Sequence, residues 1–227
     1  MKKHLLTKTF LFLAFLIWAN VGWGQLLFEE NFDYSTGYLT LAGTDNVSGG
    51  NWVNYSGTSY LQVTSGSLSY MDYASSGVGN ALNISNSVAE DAYRAFTTQS
   101  EGSTIYAAFL ISLSTVTGLP ANTSGTGDYG IAFLPSSSTS LLVGRISFRT
   151  GSVAGTYQIG LRTSSSNSAA VFSTTDFTPV NDTCLLVVKY NLISGNTNDV
   201  VSLWINPAIT TTEPSADLTQ TSVIALV

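Results

Sequence analysis

From residue 25 onward, short apolar stretches alternate with clusters of Gly, Ser, Asn and Asp. Within several stretches the apolar positions fall on every second residue. Ile146 and Phe148 oppose Arg145, Ser147 and Arg149; Tyr157, Ile159 and Leu161 oppose Gln158 and Arg162; Val201, Leu203 and Ile205 oppose Ser202 and Trp204. A period of two predicts strands with one buried and one wetter face, here over residues 143–150, 156–162 and 200–206. Enrichment in β-branched and aromatic residues between turn formers predicts further strands over 25–32, 81–84, 93–97, 104–112, 129–134, 169–173, 184–192 and 222–227. Residues 104–112 and 184–188 are apolar on both faces, which predicts central strands. No stretch between them carries a helical period. Many short strands without helices predict an all-β sandwich or barrel, and residues 25–227 read as one β-sandwich domain. The Ser-rich tracts 136–140 and 164–168 fit surface loops, and 207–220 a longer one. The ending Ile224-Ala225-Leu226-Val227 reads as a strand cut short, so the sandwich is expected to be incomplete at its C-terminus.

A different pattern precedes these strands. Lys2, Lys3 and Lys8 come first, then an apolar run over 10–19. About ten apolar residues suit the central part of a secretory signal and fall short of the ~20 a membrane span needs. Gly22 and Gly24 place small side chains at the last and third-last positions before Gln25. Residues 1–24 are therefore expected to be a signal peptide recognised by the export machinery and cleaved after Gly24. The protein would then be secreted or held at the cell surface, with no membrane span remaining.

Cleavage alters the charge and the chemistry. The whole chain has 8 basic and 14 acidic residues, a formal charge of −6. Losing three lysines takes it to −9 and removes His4, the single histidine. An acidic domain without a basic cluster is not a nucleic-acid binder, because phosphate contacts need grouped Lys and Arg. Without histidine there is no Ser-His-Asp or Cys-His arrangement, and no zinc site built on His or paired Cys. Cys184 is alone, so no intrachain disulfide forms; its setting, Cys184-Leu185-Leu186-Val187-Val188, predicts a buried, inert thiol. Only 10% of residues are charged, but 44% are hydrophobic, enough to build a core rather than stay disordered.

Glycosidases hold two acids about 5–9.5 Å apart in one cleft. Glu29-Glu30 and Glu90-Asp91 are adjacent pairs, whose members point to opposite sides of a strand. Glu29 or Glu30 with Asp33 is the nearest approach to a catalytic pair, and solvated acids at an edge strand are the simpler reading. No catalytic residue is assigned. Calcium takes oxygens from Asp, Asn and carbonyls, which Asn181-Asp182 and Asn196-Thr197-Asn198-Asp199 could supply through Asp182 and Asp199. Plain turn chemistry accounts for the same residues. A glycan would need aromatic platforms. Trp204, on the wetter face of its strand, is one candidate; Trp52, Tyr55 and Tyr60 form a second group. Packing is the alternative for each, since Trp and Tyr bury well when the polar end finds a partner.

Several segments occur in a telling order: Leu27-Phe28-Glu29-Glu30-Asn31-Phe32-Asp33-Tyr34 with Gly37-Tyr38-Leu39, Ser76-Gly77-Val78-Gly79-Asn80-Ala81, and Ile105-Tyr106-Ala107-Ala108-Phe109-Leu110. Leu185-Leu186-Val187-Val188-Lys189-Tyr190 follows, then Asn198-Asp199-Val200-Val201-Ser202-Leu203-Trp204-Ile205-Asn206-Pro207 and Glu213-Pro214. The ordered set resembles the concanavalin A-like (laminin-G-like) jelly-roll domains of exported bacterial surface proteins. The resemblance implies a jelly-roll sandwich of two antiparallel sheets and, because such proteins often carry a type IX secretion sorting domain, an extracellular fate. It brings no catalytic motif. The expected function is a non-catalytic surface domain that binds a glycan or another extracellular ligand. A structural or adhesive spacer is the alternative, and a polysaccharide hydrolase or lyase a third.

Overall fold

The computed structural model describes residues 24–40, 45–74, 76–85, 90–136, 138, 140–164, 169–180, 182–195 and 197–221. Among them there are 13 strands and no helix: β1 Gly37–Tyr38, β2 Val53–Ser56, β3 Gln62–Thr64, β4 Ala81–Asn83, β5 Asp91–Tyr93, β6 Thr104–Ile111, β7 Asp128–Phe133, β8 Val143–Thr150, β9 Tyr157–Ser164, β10 Val171–Phe172, β11 Cys184–Asn191, β12 Val200–Ile205 and β13 Leu218–Thr221. Every pairing is antiparallel. Two sheets have four strands, in the orders β10-β9-β8-β7 and β13-β12-β11-β6; smaller sheets have the orders β1-β3-β4 and β2-β5.

The two four-stranded sheets face each other across one core, a sandwich-like arrangement that follows from the period-two pattern. Ile146, Tyr157, Ile159 and Leu161 point inward from one sheet; Cys184, Leu186, Val188, Tyr190, Val201 and Leu203 meet them from the other. All ten are at most 2% exposed. Each large apolar side chain so buried contributes about 1.5–3 kcal/mol, which outweighs any surface ion pair of ~1 kcal/mol or less. Cys184 is buried here, and burial pushes its thiol up, as expected of an inert cysteine.

A separate, smaller core lies beneath the short sheets. Leu39, Leu61 and Val63 are buried, with Phe32, Tyr34, Val47, Trp52, Leu82 and Ala92 packed around them. Two carboxylates tie this core together. Glu90, 6% exposed, accepts from the Thr40 hydroxyl, the Leu61 N–H and Asn54 Nδ2 (3.0 Å). Glu30 accepts from Phe32 N–H (2.6 Å), Tyr34 Oη (2.9 Å), Trp52 Nε1 (2.8 Å) and the Arg94 guanidinium.

Those bonds explain one departure from the sequence pattern. Residues 25–32 form no strand, because Glu30 captures the N–H two residues on and Phe32 turns to φ 49°, breaking the extended chain. A second departure concerns β6. Though apolar on both faces it stands at the edge of its sheet, and Tyr106 is 53% exposed there. The strand expected over 93–97 ends at Tyr93, while β1, β2, β3 and β13 were not foreseen at all. Most of the leader, including His4, and the strand expected over 222–227 lie outside the described residues.

Candidate functional site

Alternation places a set of polar and aromatic side chains on the outer face of the β1-β3-β4 sheet. Leu39, Leu61, Val63 and Leu82 turn toward the small core, so Tyr38, Tyr60, Gln62 and Asn83 must turn away from it. Register then aligns them. Tyr38 pairs with Gln62 and Gln62 with Asn83, forming one row across three strands. Continuing the β3–β4 register puts Tyr60 opposite Ser85. With Thr58 and Ser59 from the β2–β3 turn, these residues line an open groove of about 490 Å³.

The Tyr38 and Tyr60 rings stand 6.0 Å apart at 63°, an edge-to-face contact that fixes both while leaving ring surface toward the groove. Neither the Gln62 nor the Asn83 carboxamide hydrogen-bonds to another described residue, and both residues are exposed. Each amide thus offers a donor and an acceptor to solvent or ligand. No lining residue is charged. The turn is set by Gly57 at φ 83°, whose carbonyl accepts from Asn54 Nδ2 at 3.3 Å. Asn54 in turn bonds Glu90, so the rim is anchored to the buried carboxylate.

Of the sequence candidates, only Tyr60 lies in this groove. Trp52 stacks on Phe32 at 5.7 Å and donates its indole N–H to Glu30, so it is a packing residue of the small core. Tyr55 sits 5.8 Å from Tyr93 on the other side of β2, its hydroxyl pushed up to about 12 by burial and by the Asp91 carboxylate. Trp204 does lie opposite Val201 and Leu203, but it is 4% exposed. The expectation of a wetter, platform-like face fails there because the segment 207–214 crosses over the ring and accepts the indole N–H at Pro214 O (2.9 Å). Glu213 lies along the strap's outer edge, pairing with Lys189 at 2.9 Å and accepting from the Tyr106 hydroxyl. A groove of about 330 Å³ remains along the strap, walled by Tyr73, Tyr106, Val187, Ile209 and Pro214.

The calcium candidates are occupied by local bonds. Asp182 accepts from the Thr178 N–H at 2.6 Å, closing a turn. Asp199, 5% exposed, accepts from Ile193 N–H at 2.8 Å and Tyr190 Oη at 3.2 Å. Asn181 and Asn196 lie outside the described residues. No group of three His, Cys, Asp or Glu suited to a metal occurs among the described residues. Glu29 and Asp33 are exposed, and Glu30 is turned inward; none of the three lines either groove described above.

Tyr38, Gln62 and Asn83 were not singled out by sequence reasoning. Their strands are two or three residues long, too short for a period to declare itself. The one available signal was Tyr38 and Leu39 in succession: an aromatic beside an aliphatic, one of which must face outward. The chain matches no protein family, no curated protein and no solved structure.

Proposed function

We propose that this chain is a non-catalytic, extracellular glycan-binding domain whose binding surface is the groove of Tyr38, Tyr60, Gln62 and Asn83. The observation that carries this reading is the meeting of two fixed tyrosine rings with two uncommitted carboxamides in one open groove. A sugar has an apolar C–H face and a rim of hydroxyls, so it needs a flat aromatic surface beside neutral donors and acceptors. Ligand sites in general combine such apolar walls with a few polar groups that set orientation. The lining holds no carboxylate or histidine, so the paired acids of sugar hydrolysis are missing from it, which favours binding over turnover. The extracellular assignment rests on the basic-then-apolar opening of the chain. The two large sheets are compatible with the layers of a concanavalin A-like jelly roll, and we take that as the finer fold.

The test is a glycan-array screen of the exported chain beside its Tyr60→Ala variant. Retention of one or more glycans, weakened by at least about tenfold in a variant of unchanged circular dichroism, is the expected result. A second reading, a structural or adhesive spacer, is favoured by Trp204, the aromatic best placed on a large sheet, being sealed under its strap. A blank array on folded protein would give preference to the spacer.

A further inference from the structure

We infer that the Tyr38–Tyr60 groove takes a neutral polysaccharide, without a bridging metal ion, and reads adjacent ring hydroxyls through the Gln62 and Asn83 carboxamides. This inference rests on the glycan reading above and narrows it to a ligand class.

Charge decides first. An acidic sugar, such as a uronate or a sulfated ring, loses hydration on entering a groove and needs a cation or a metal to replace it. The lining supplies two tyrosines, two amides and three hydroxyl residues, none cationic. Among the described residues, the cations lie elsewhere. Arg94 is spent on Glu30 and covers the Phe28 ring at 4.8 Å; Arg145, Arg149 and Arg162 stand on β8 and β9; Lys189 pairs with Glu213. A calcium bridge draws its charge balance from carboxylates, and the lining offers only neutral oxygens. The formal charge of −6 adds a repulsive field toward polyanions.

Geometry decides second. Neighbouring strands lie about 4.8 Å apart, so the row Tyr38–Gln62–Asn83 runs about 10 Å across the sheet. A ligand lying along the row meets a ring and then two amides in succession. A carboxamide sets one acceptor beside one donor. Two adjacent ring hydroxyls, each able to donate and accept, complete both bonds at once, whereas a carboxylate or sulfate accepts only and would leave the amide oxygen facing a like partner. Tyr60, diagonal to the row and held against Tyr38, gives the C–H face of the ring its platform.

The experiment titrates the exported chain with neutral polymers (a β-glucan, a mannan, a xylan, a galactan) and acidic ones (polygalacturonate, alginate, a sulfated galactan). Each titration is run at low and high salt and with and without EDTA, beside the Gln62→Ala, Asn83→Ala and Tyr60→Ala variants. The expected result is binding of at least one neutral polymer, insensitive to salt and chelator. Either amide variant should lose at least about fivefold with its unfolding midpoint unchanged, both side chains being exposed. Tyr60→Ala should lose at least about tenfold with the fold retained, its midpoint lowered only by the lost edge-to-face contact with Tyr38. Acidic polymers retained in a manner that Tyr60→Ala abolishes, or binding lost in EDTA, would overturn the neutral, metal-free class while leaving the glycan reading intact. Neutral binding that ignores both amide variants would overturn the role of the amide row. No binding of either class by folded protein would sink the glycan reading itself.

Discussion

Glu30 and Glu90 show how a single side chain can organise a region that has few apolar residues. Glu30 keeps only 9% of its side chain exposed and is met by two side-chain donors, a backbone N–H and a guanidinium. Burial by itself would raise its pKa, but bonds from Trp52, Tyr34, Phe32 and Arg94 together hold it below the ordinary glutamate value. Because the folded pKa is depressed, the native state binds this proton less tightly than the unfolded chain. Its contribution is therefore complete above about pH 4.3, the unfolded value, and is lost as pH falls through the folded one. Glu30→Gln should cost about 1–3 kcal/mol at neutral pH, since it removes the counter-charge of the partly buried Arg94 and turns an amide donor toward other donors. The variant should also flatten the acid limb of a plot of stability against pH, measured by urea unfolding from pH 7 to pH 3. An unchanged limb would place the acid sensitivity in other carboxylates.

Asp199 makes the same point inside the large core. Its carboxylate satisfies the buried Tyr190 hydroxyl and the Ile193 N–H, and burial pushes the Tyr190 phenol up so that it remains a neutral donor. The residue is a structural acceptor in this arrangement. Asp199→Asn should destabilise by about 1–3 kcal/mol, because one amide end is a donor facing a donor. EDTA should leave the thermal midpoint of the parent chain where it was. A midpoint that drops with chelator and returns with calcium would show that Asp199 holds a metal after all.

Among the elements, the strap over β12 separates what holds from what merely touches. Trp204 is 4% exposed and its indole N–H is bonded to Pro214 O, whereas the Lys189–Glu213 pair is 22% and 45% exposed. Trp204→Ala should cost about 3–5 kcal/mol through the cavity it opens, and Glu213→Gln under about 1 kcal/mol. Denaturant unfolding of the two variants checks the ranking, and the reverse order would mean that the ion pair, not the ring, fastens the strap. The strap also marks where the sequence stopped being informative. Period-two alternation put Trp204 on the correct face of β12, but only the return of residues 207–214 decides whether that face is wet. The long strands β8, β9 and β12 could be read because eight or six residues repeat the alternation several times, and β11 because its apolar run is long enough to stand out without one. Strands β1 and β3 could not; β4 was legible as the apolar stretch 81–84, but its partnership with β3, and that of β3 with β1, is a tertiary fact. The groove is made by those three, so its residues were hidden while the scaffold beneath was plain. Tyr60 was reached from its residue type alone.

On the scale of the whole molecule, the two cores share no residue. Among the described residues, the sandwich-like body is stabilised by 13 buried hydrophobic residues, the groove-bearing part by three together with the two carboxylate hubs. Cooperative units of unequal core size open at unequal free energies, and binding surfaces tend to sit on the weaker unit. The short sheets should therefore exchange their amide hydrogens through local opening well before global unfolding. Val63, 1% exposed beneath the groove row, and Leu186, fully buried in the large core, provide the contrast. Val63→Ala should lower amide protection at 37–39, 53–56, 61–64 and 81–83 and weaken glycan binding, with little change at β8, β9 and β11. Leu186→Ala should cost about 2–5 kcal/mol and lower protection throughout. Native-state hydrogen exchange on the two variants decides the matter: protection lost uniformly in both would mean one cooperative unit, and the groove would then be as rigid as the body that carries it.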